Sequence, residues 1–182
     1  MPDFPKSVYV HPSASVMGNV TVGEHSSLWP HCSIRGDFEH ITIGAHTSIQ
    51  DCAVLHAAPG VPTKVGDFVT VAHGAVLHGC VVEDCCLISM HAVVQDGCVI
   101  GAGSIVGAGA ILTERTQVPP GSIVVGVPGK IKPGREGQLE VGRNNALSYS
   151  ALAKNYLDGK ETISGEDLVR IMAELRKEAG LE

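Results

Sequence analysis

Aliphatic residues return at every sixth position along most of this chain. Val10, Val16, Val22, Leu28 and Ile34 open the series. Three extra residues enter around RGDFEH, and the series resumes at Ile43, Ile49 and Leu55. Four more enter at HAAPGVPTK, before Val65, Val71 and Leu77. One five-residue step leads to Val82, and six-residue steps then run through Ile88, Val94, Ile100, Val106, Leu112, Val118 and Val124. Four places after most of these aliphatics the residue is small, as at Ala14, Ser26, Cys32, Thr47, Ala53, Ala75, Cys86, Ala92, Cys98, Ser104, Ala110 and Ser122. A period of six is neither the 3.6 of a helix nor the 2 of an isolated strand. It is the signature of a parallel β-helix. Three hexapeptides close a triangular coil of about 18 residues, the aliphatics stack in interior ladders, and the small residues fill the corners. Coils rise by ~4.8 Å each, so roughly six coils make a prism ~30 Å long. Glycine follows the aliphatic at Gly23, Gly44, Gly66, Gly101 and Gly107, where a positive φ at a corner is expected.

The period changes after VGVPGKIKPG (125–134), which reads as a Pro/Gly linker. NNALSYSALAKNYL (144–157) reads as a helix. Leu168, Ile171, Met172, Leu175 and Ala179 keep the spacing of an amphipathic helix, and Ser164 followed by Asp167 resembles a capping box at its start. The expected layout is a β-helix over 1–130, then a linker and helices over 131–182 that pack on the prism or on a subunit junction.

Composition narrows the chemistry. Hydrophobic residues make up 44% of the chain but aromatics only 4%, so the core is built from aliphatics in a repeating way. The net charge is −6 and no basic run occurs, which argues against nucleic acid or an anionic membrane as partner. No stretch reaches the ~18 apolar residues of a membrane span. MPDFPKSVYV lacks the apolar middle of a signal peptide, so a cytoplasmic location is expected. The six cysteines include no CxxC and are expected reduced, three of them as corner fillers.

Two histidines in VTVAHGAVLHGC, His73 and His78, stand five apart. That spacing suits neither one helix face nor one strand face. The coil register explains it. His56 follows Leu55 and His78 follows Leu77, so His78 should lie directly above His56, one coil higher. Backbones ~4.8 Å apart let both imidazoles converge on one metal ion. Arg35, which follows Ile34, falls in the same column. His73 is two after Val71, on the preceding face, above Asp51, with Gln50 beside it. Five extended residues span up to ~16 Å, so His73 is expected to serve the metal of a neighbouring chain. A triangular prism packed about a threefold axis gives three equal junctions of this kind. His11, His25, His31, His40, His46 and His91 read as structural or exposed, though His91 lies near the same region.

These residues also carry a family resemblance. IRGD (34–37), SIQD (48–51), VLH (54–56), VAH (71–73) and LHGC (77–80) resemble motifs of the γ-class carbonic anhydrases and their ferripyochelin-binding-protein-like relatives. The resemblance covers about residues 8–130 and extends more loosely to the C-terminal helix. It implies an all-β fold, a left-handed parallel β-helix with C-terminal α-helices. It also implies a homotrimer with Zn²⁺ at each interface, Fe²⁺ and Co²⁺ being alternatives that imidazole also suits. Carried over, the ligands are His56 and His78 of one subunit and His73 of the next. Arg35 matches an arginine that pairs with carboxylates across the interface, and Asp37 and Asp51 match its partners. Gln50 matches a glutamine that hydrogen-bonds solvent on the metal. Tyr149 matches a tyrosine that approaches the site from the C-terminal helix. Two departures stand out: Phe38 occupies the place of a glutamate, and HAAPGVPTK contains no carboxylate where the family's longer members carry an acidic, proton-shuttling loop. The chain thus resembles the shorter subclass.

The expected activity is a lyase reaction, reversible hydration of CO₂ to bicarbonate at a three-histidine site with one open position. Proton removal would fall to buffer, water or Glu39. Two alternatives share the fold. One is a trimer stapled by a non-catalytic metal. The other is a hexapeptide acyltransferase, which needs only one histidine as general base.

Overall fold

A computed structural model describes residues 4–181 of the chain. The hexapeptides fold as short parallel strands stacked coil on coil into a solenoid of about six turns. One face runs through Tyr9–Val10, Ser27–Leu28, Ser48–Ile49, Thr70–Val71, Leu87–Ile88, Ile105–Val106 and Ser122–Val125. The other two faces are joined because Ser15–Val22 and Ser33–Ile43 each run continuously round a corner. The second face continues through Val54–His56, Val76–His78, Val93–Val94 and Ile111–Leu112, and the third through Thr63–Val65, Val81–Val82, Val99–Ile100 and Gln117–Val118.

The ladder aliphatics stack as the periodicity predicts. Leu28, Ile34, Ile49, Leu55, Val71, Leu77, Ile88, Val94, Ile100, Val106 and Val124 are fully buried, and only Val10 and Val16, in the first coil, are half-buried. Every small corner residue named above is buried as well. The cysteines among them are inert fillers: burial pushes the Cys32 and Cys86 thiols up to about 12, so both stay protonated.

The corners differ from expectation in one respect. Gly23, Gly44, Gly66, Gly101 and Gly107 do not have positive φ. They are small because coils touch there: a Cβ on Gly44 would sit 2.5 Å from the Gly66 carbonyl carbon, and one on Gly101 would sit 2.4 Å from Pro120 N. The left-handed residue falls instead three places after most of the ladder aliphatics. Gly74, Gly97, Gly103, Gly109 and Gly121 fill it in some coils, and His25, His31, His46, Cys52, Phe68, Cys85, His91 and Arg115 fill it in others. Histidine tolerates this conformation better than most side chains. Four histidines are therefore corner residues of the solenoid. At one corner they stack: His25 on His46 at 4.9 Å, and His46 on Phe68 at 4.8 Å between ring centroids.

Two further features complete the prism. The supposed linker is partly strand, because Lys130–Pro133 pairs antiparallel with Ser122–Val125. Helix α1 (Gln138–Leu157) begins six residues before the predicted one and crosses back over the first face. There the Thr70 hydroxyl donates to Asn145 at 2.8 Å, and Gly142 lets the helix backbone approach Cys85. Helix α2 (Gly165–Glu178) packs Ile171 and Leu175 against Leu147 and Ala151 of α1, with Phe68 beneath. Its predicted cap is present: the Ser164 hydroxyl accepts from Asp167 N–H at 3.1 Å.

Ile88→Ala, in the middle of a closed ladder, should lower unfolding free energy by about 2–5 kcal/mol, and Val10→Ala, at the open end, by clearly less. Urea denaturation of both variants checks the difference. His46 is buried, with its Nδ1 unpartnered, and burial followed by the His25 charge lowers its pKa to about 4. The unfolded imidazole takes up a proton near its ordinary 6.5 while the folded one does not, so His46 costs stability as pH falls from 6.5 to 4. His46→Phe, which repeats Phe68 one coil earlier, should flatten stability against pH in that window relative to wild type.

Candidate metal centre

The register places His56 beside His78 on adjacent coils, with Arg35 next to His56 in the same column. The two rings approach with Nδ1 of His56 3.0 Å from Nε2 of His78. The remaining nitrogen of each ring meets a carboxylate. His56 Nε2 lies 2.9 Å from Asp37 Oδ1, and His78 Nδ1 lies against Asp96 Oδ1. Arg35 donates to the other oxygen of Asp37. Hydrogen bonds from His56 and then Arg35 hold the Asp37 carboxyl at about 2, so it is ionised. The first chain expansion builds this corner, since it carries Arg35, Asp37 and Phe38. The Phe38 ring lies edge-on to His56 with centroids 5.8 Å apart, and 60% of it is exposed. Glu39, the carboxylate expected to accept protons, instead receives the Gly60 N–H at 3.2 Å and ties the two expansions together.

His73 stands apart. Its Nδ1 lies 2.9 Å from Asp51 Oδ2, on the neighbouring face. Among the described residues of one chain, no three His, Cys, Asp or Glu side chains gather as a metal-binding group. Gln50 and Tyr149 lie with His73 and line two cavities under α1. The larger, about 290 Å³, is also bounded by Tyr9, His11 and Trp29. The smaller, about 190 Å³, extends toward Ser89 and Asn145. Gln50 is only 1% exposed, yet its Nε2 has no hydrogen-bond partner. A buried amide donor left without an acceptor is costly, so this one points to an oxygen ligand beside His73.

The residue set suits a metal ion. Ligating histidines usually hand their second ring nitrogen to a carboxylate, which fixes tautomer and orientation. Here His56, His73 and His78 each do so, with Asp37, Asp51 and Asp96. Two imidazoles bound to one tetrahedral ion at 2.0–2.1 Å would have nitrogens about 3.3 Å apart. The free nitrogens of His56 and His78 are already near that separation.

The structure thus forms two groups from the predicted site residues: Arg35, Asp37, His56 and His78 on one side, and Gln50, Asp51, His73 and Tyr149 on the other. The sequence reading missed Asp96. Its signal was in the register, because Val94 pairs with Leu77 and so sets Asp96 directly above Gly79, where no side chain blocks it from His78.

Comparison with known proteins follows the same line. Residues 79–114 match the family described as bacterial transferase hexapeptide (six repeats). A Methanocaldococcus jannaschii protein named "Probable carbonic anhydrase" is 46% identical over 150 residues, covering 82% of this chain and 94% of that protein. Gamma carbonic anhydrase 2, mitochondrial, of Arabidopsis thaliana is 36% identical over 159 residues, covering 84% of this chain and 55% of its own length. Among solved structures, a hexapeptide transferase family protein from Anaplasma phagocytophilum superposes with a TM-score of 0.73 at 31% identity, covering 82% of this chain and 92% of that one. A Vibrio cholerae hexapeptide-repeat acetyltransferase complexed with acetyl-CoA superposes with a TM-score of 0.54 at 26% identity, covering 62% and 69%. With one relative of such identity matched over nearly its whole length, and gamma carbonic anhydrases matched over most of this chain, the chain belongs to the γ-class carbonic anhydrase family.

Proposed function

We propose that this protein is a cytoplasmic homotrimer that reversibly hydrates CO₂ to bicarbonate at three interface metal sites. His56 and His78 of one subunit and His73 of the next would hold each ion, with Zn²⁺ the favoured occupant. The observation that carries this reading is the threefold repetition of one motif, an imidazole with a carboxylate on one nitrogen and the other left over. A Zn²⁺ ion held by three such ligands supplies an open coordination position and lowers the pKa of its water to about 7.

The chain's own residues would do the rest. Asp37, Asp51 and Asp96 set the tautomers. Arg35 holds Asp37 in place. Gln50 donates its orphaned Nε2 hydrogen to an oxygen of the reacting water or of bicarbonate, and Phe38 shields His56. Tyr149 closes the site from the side of α1. The outer column Val54, Val76, Val93 and Ile111 runs beside the His56–His78 column and supplies an apolar stripe for subunit contact.

The acyltransferase reading draws on the fold shared with the acetyl-CoA-bound neighbour. It calls for one histidine and leaves the other two, with their carboxylates, unexplained. A purely structural ion is the third reading. In that case the fourth coordination position would be filled by protein, and the unpartnered Gln50 donor would have no substrate oxygen to meet.

The purified protein should sediment as a trimer carrying one metal ion per chain, and His73→Ala should lose most of the metal while keeping the wild-type circular dichroism spectrum. Stopped-flow CO₂ hydration by the zinc-loaded trimer that is no faster than His73→Ala would end this reading. Acetyl transfer that survives chelation would favour the acyltransferase instead. Gln50→Leu should retain the metal yet lower kcat on the order of 10²-fold, as the loss of one preorganised donor does elsewhere.

A further inference from the structure

Hydration of CO₂ releases one proton for each bicarbonate formed, and that proton must leave the site. The usual exits are closed here. Phe38 stands where a carboxylate is expected, the loop at 57–62 has no acid, and Glu39 is held by Gly60. The large cavity under α1 supplies another route. Among the described residues that line it, only His73 and His11 are histidines, and His73 is spoken for as a ligand.

We infer that His11 is the proton relay of this site, receiving the released proton through water in the cavity and passing it to bulk base. The inference rests on the hydration reading above. His11 and Gln50 occupy equivalent places on the same face. Each directly follows a ladder aliphatic, and Val10, Leu28 and Ile49 pair in series. Two strand spacings separate them, about 10 Å, with Trp29 in the equivalent place between; its Nε1 donates to Ser27 and Ser48, so a file of two or three hydrogen-bonded waters would run past the indole through the cavity. The cavity, about 290 Å³, has room for roughly nine waters at ~30 Å³ each. Polar groups to hold them are present in Gln50, Asp51, His73 and the tyrosines Tyr9, Tyr149 and Tyr156. Among the described residues no lysine or arginine lines the cavity, and the Asp51 carboxylate does, so a passing positive charge is favoured there.

The ring of His11 is held for this task. The Ser13 backbone N–H donates to its Nδ1 at 3.2 Å, and the Ser13 hydroxyl lies 2.8 Å from the same nitrogen. The neutral ring therefore carries its hydrogen on Nε2. Imidazole is the side chain whose ordinary titration lies nearest neutrality. The balance is simple: CO₂ and H₂O give HCO₃⁻ and H⁺. The proton adds to Nδ1 as the Ser13 hydroxyl turns from donor to acceptor. The same Nδ1 proton then goes to a buffer base such as phosphate, which restores the neutral ring with its hydrogen on Nε2 and Nδ1 again accepting from Ser13.

The test measures CO₂ hydration by zinc-loaded wild type and His11→Ala across a range of buffer concentrations. The expected result is a drop in kcat of about tenfold or more at low buffer, an unchanged kcat/KM, and recovery on adding free imidazole. A merely structural histidine would not give rescue by imidazole. Equal kcat in both proteins at low buffer, or a parallel loss in kcat and kcat/KM that imidazole does not repair, overturns the relay while leaving the hydration reading intact. Wild type without hydration activity at any buffer concentration removes the hydration reading and the relay with it. A high-resolution crystal structure of the zinc-loaded trimer gives an independent readout and does not need the variant to fold. Ordered waters linking Gln50 to His11 are expected, and a cavity filled by a neighbouring subunit's side chains would rule the relay out.

Discussion

Everything in this protein depends on parallel strands held one coil apart in strict register. Backbone hydrogen bonds between coils fix the vertical spacing, and the buried aliphatic ladders fix the phase. A slip of one residue would put every ladder side chain into solvent, so the register is strongly enforced. That enforcement also positions the chemistry. His56, His78 and Arg35 share a column because Ile34, Leu55 and Leu77 share a ladder. A solenoid core thus does for a site on its outer faces what a folded pocket does elsewhere: it sets the spacing of the side chains by the spacing of the coils.

The surface residues exploit this grid in a regular way. Each of the three key histidines is one strand spacing from the residue that orients it or from the ring it is meant to join. The two chain expansions both fall at the corner between the second and third faces, one coil apart, so they widen the prism locally without shifting any ladder. Arg35 and Asp37 occupy the room so created. The cluster of Tyr9, Trp29 and Tyr156, with ring centroids 5.1–5.4 Å apart, gathers much of the chain's scarce aromatic surface where α1 meets the first coils. It anchors the helix that brings Tyr149 toward Gln50 and His73.

Much of this was legible in the sequence, because a repeat makes distant positions commensurate. Counting from one aliphatic to the next was enough to stack His56 under His78 and to set His73 above Asp51. Asp96 escaped only because the count stopped one coil short. Other features were not legible for physical reasons. Glycine after the aliphatic suggests a corner torsion, but the torsion lies two residues later, and the glycine is required by contact with the coil above, which no local pattern records. The strand at Lys130–Pro133 looks like linker because its composition is that of an exposed edge, and it pairs antiparallel where all else is parallel. The role assigned to His11 depends on a cavity formed by a helix more than a hundred residues later in the chain, a relation that hexapeptide arithmetic does not contain.

That antiparallel strand has a wider meaning for how the protein exists in a cell. A bare final coil would present a row of unsatisfied amides and carbonyls, an open template on which another molecule's first coil could add. On the first face Lys130–Pro133 occupies that template in the wrong polarity for propagation, and its sequence carries two lysines and a proline. On that face the stack, whose geometry is the nearest a globular fold comes to a fibril, ends in a strand that does not hand its polarity on to a further coil.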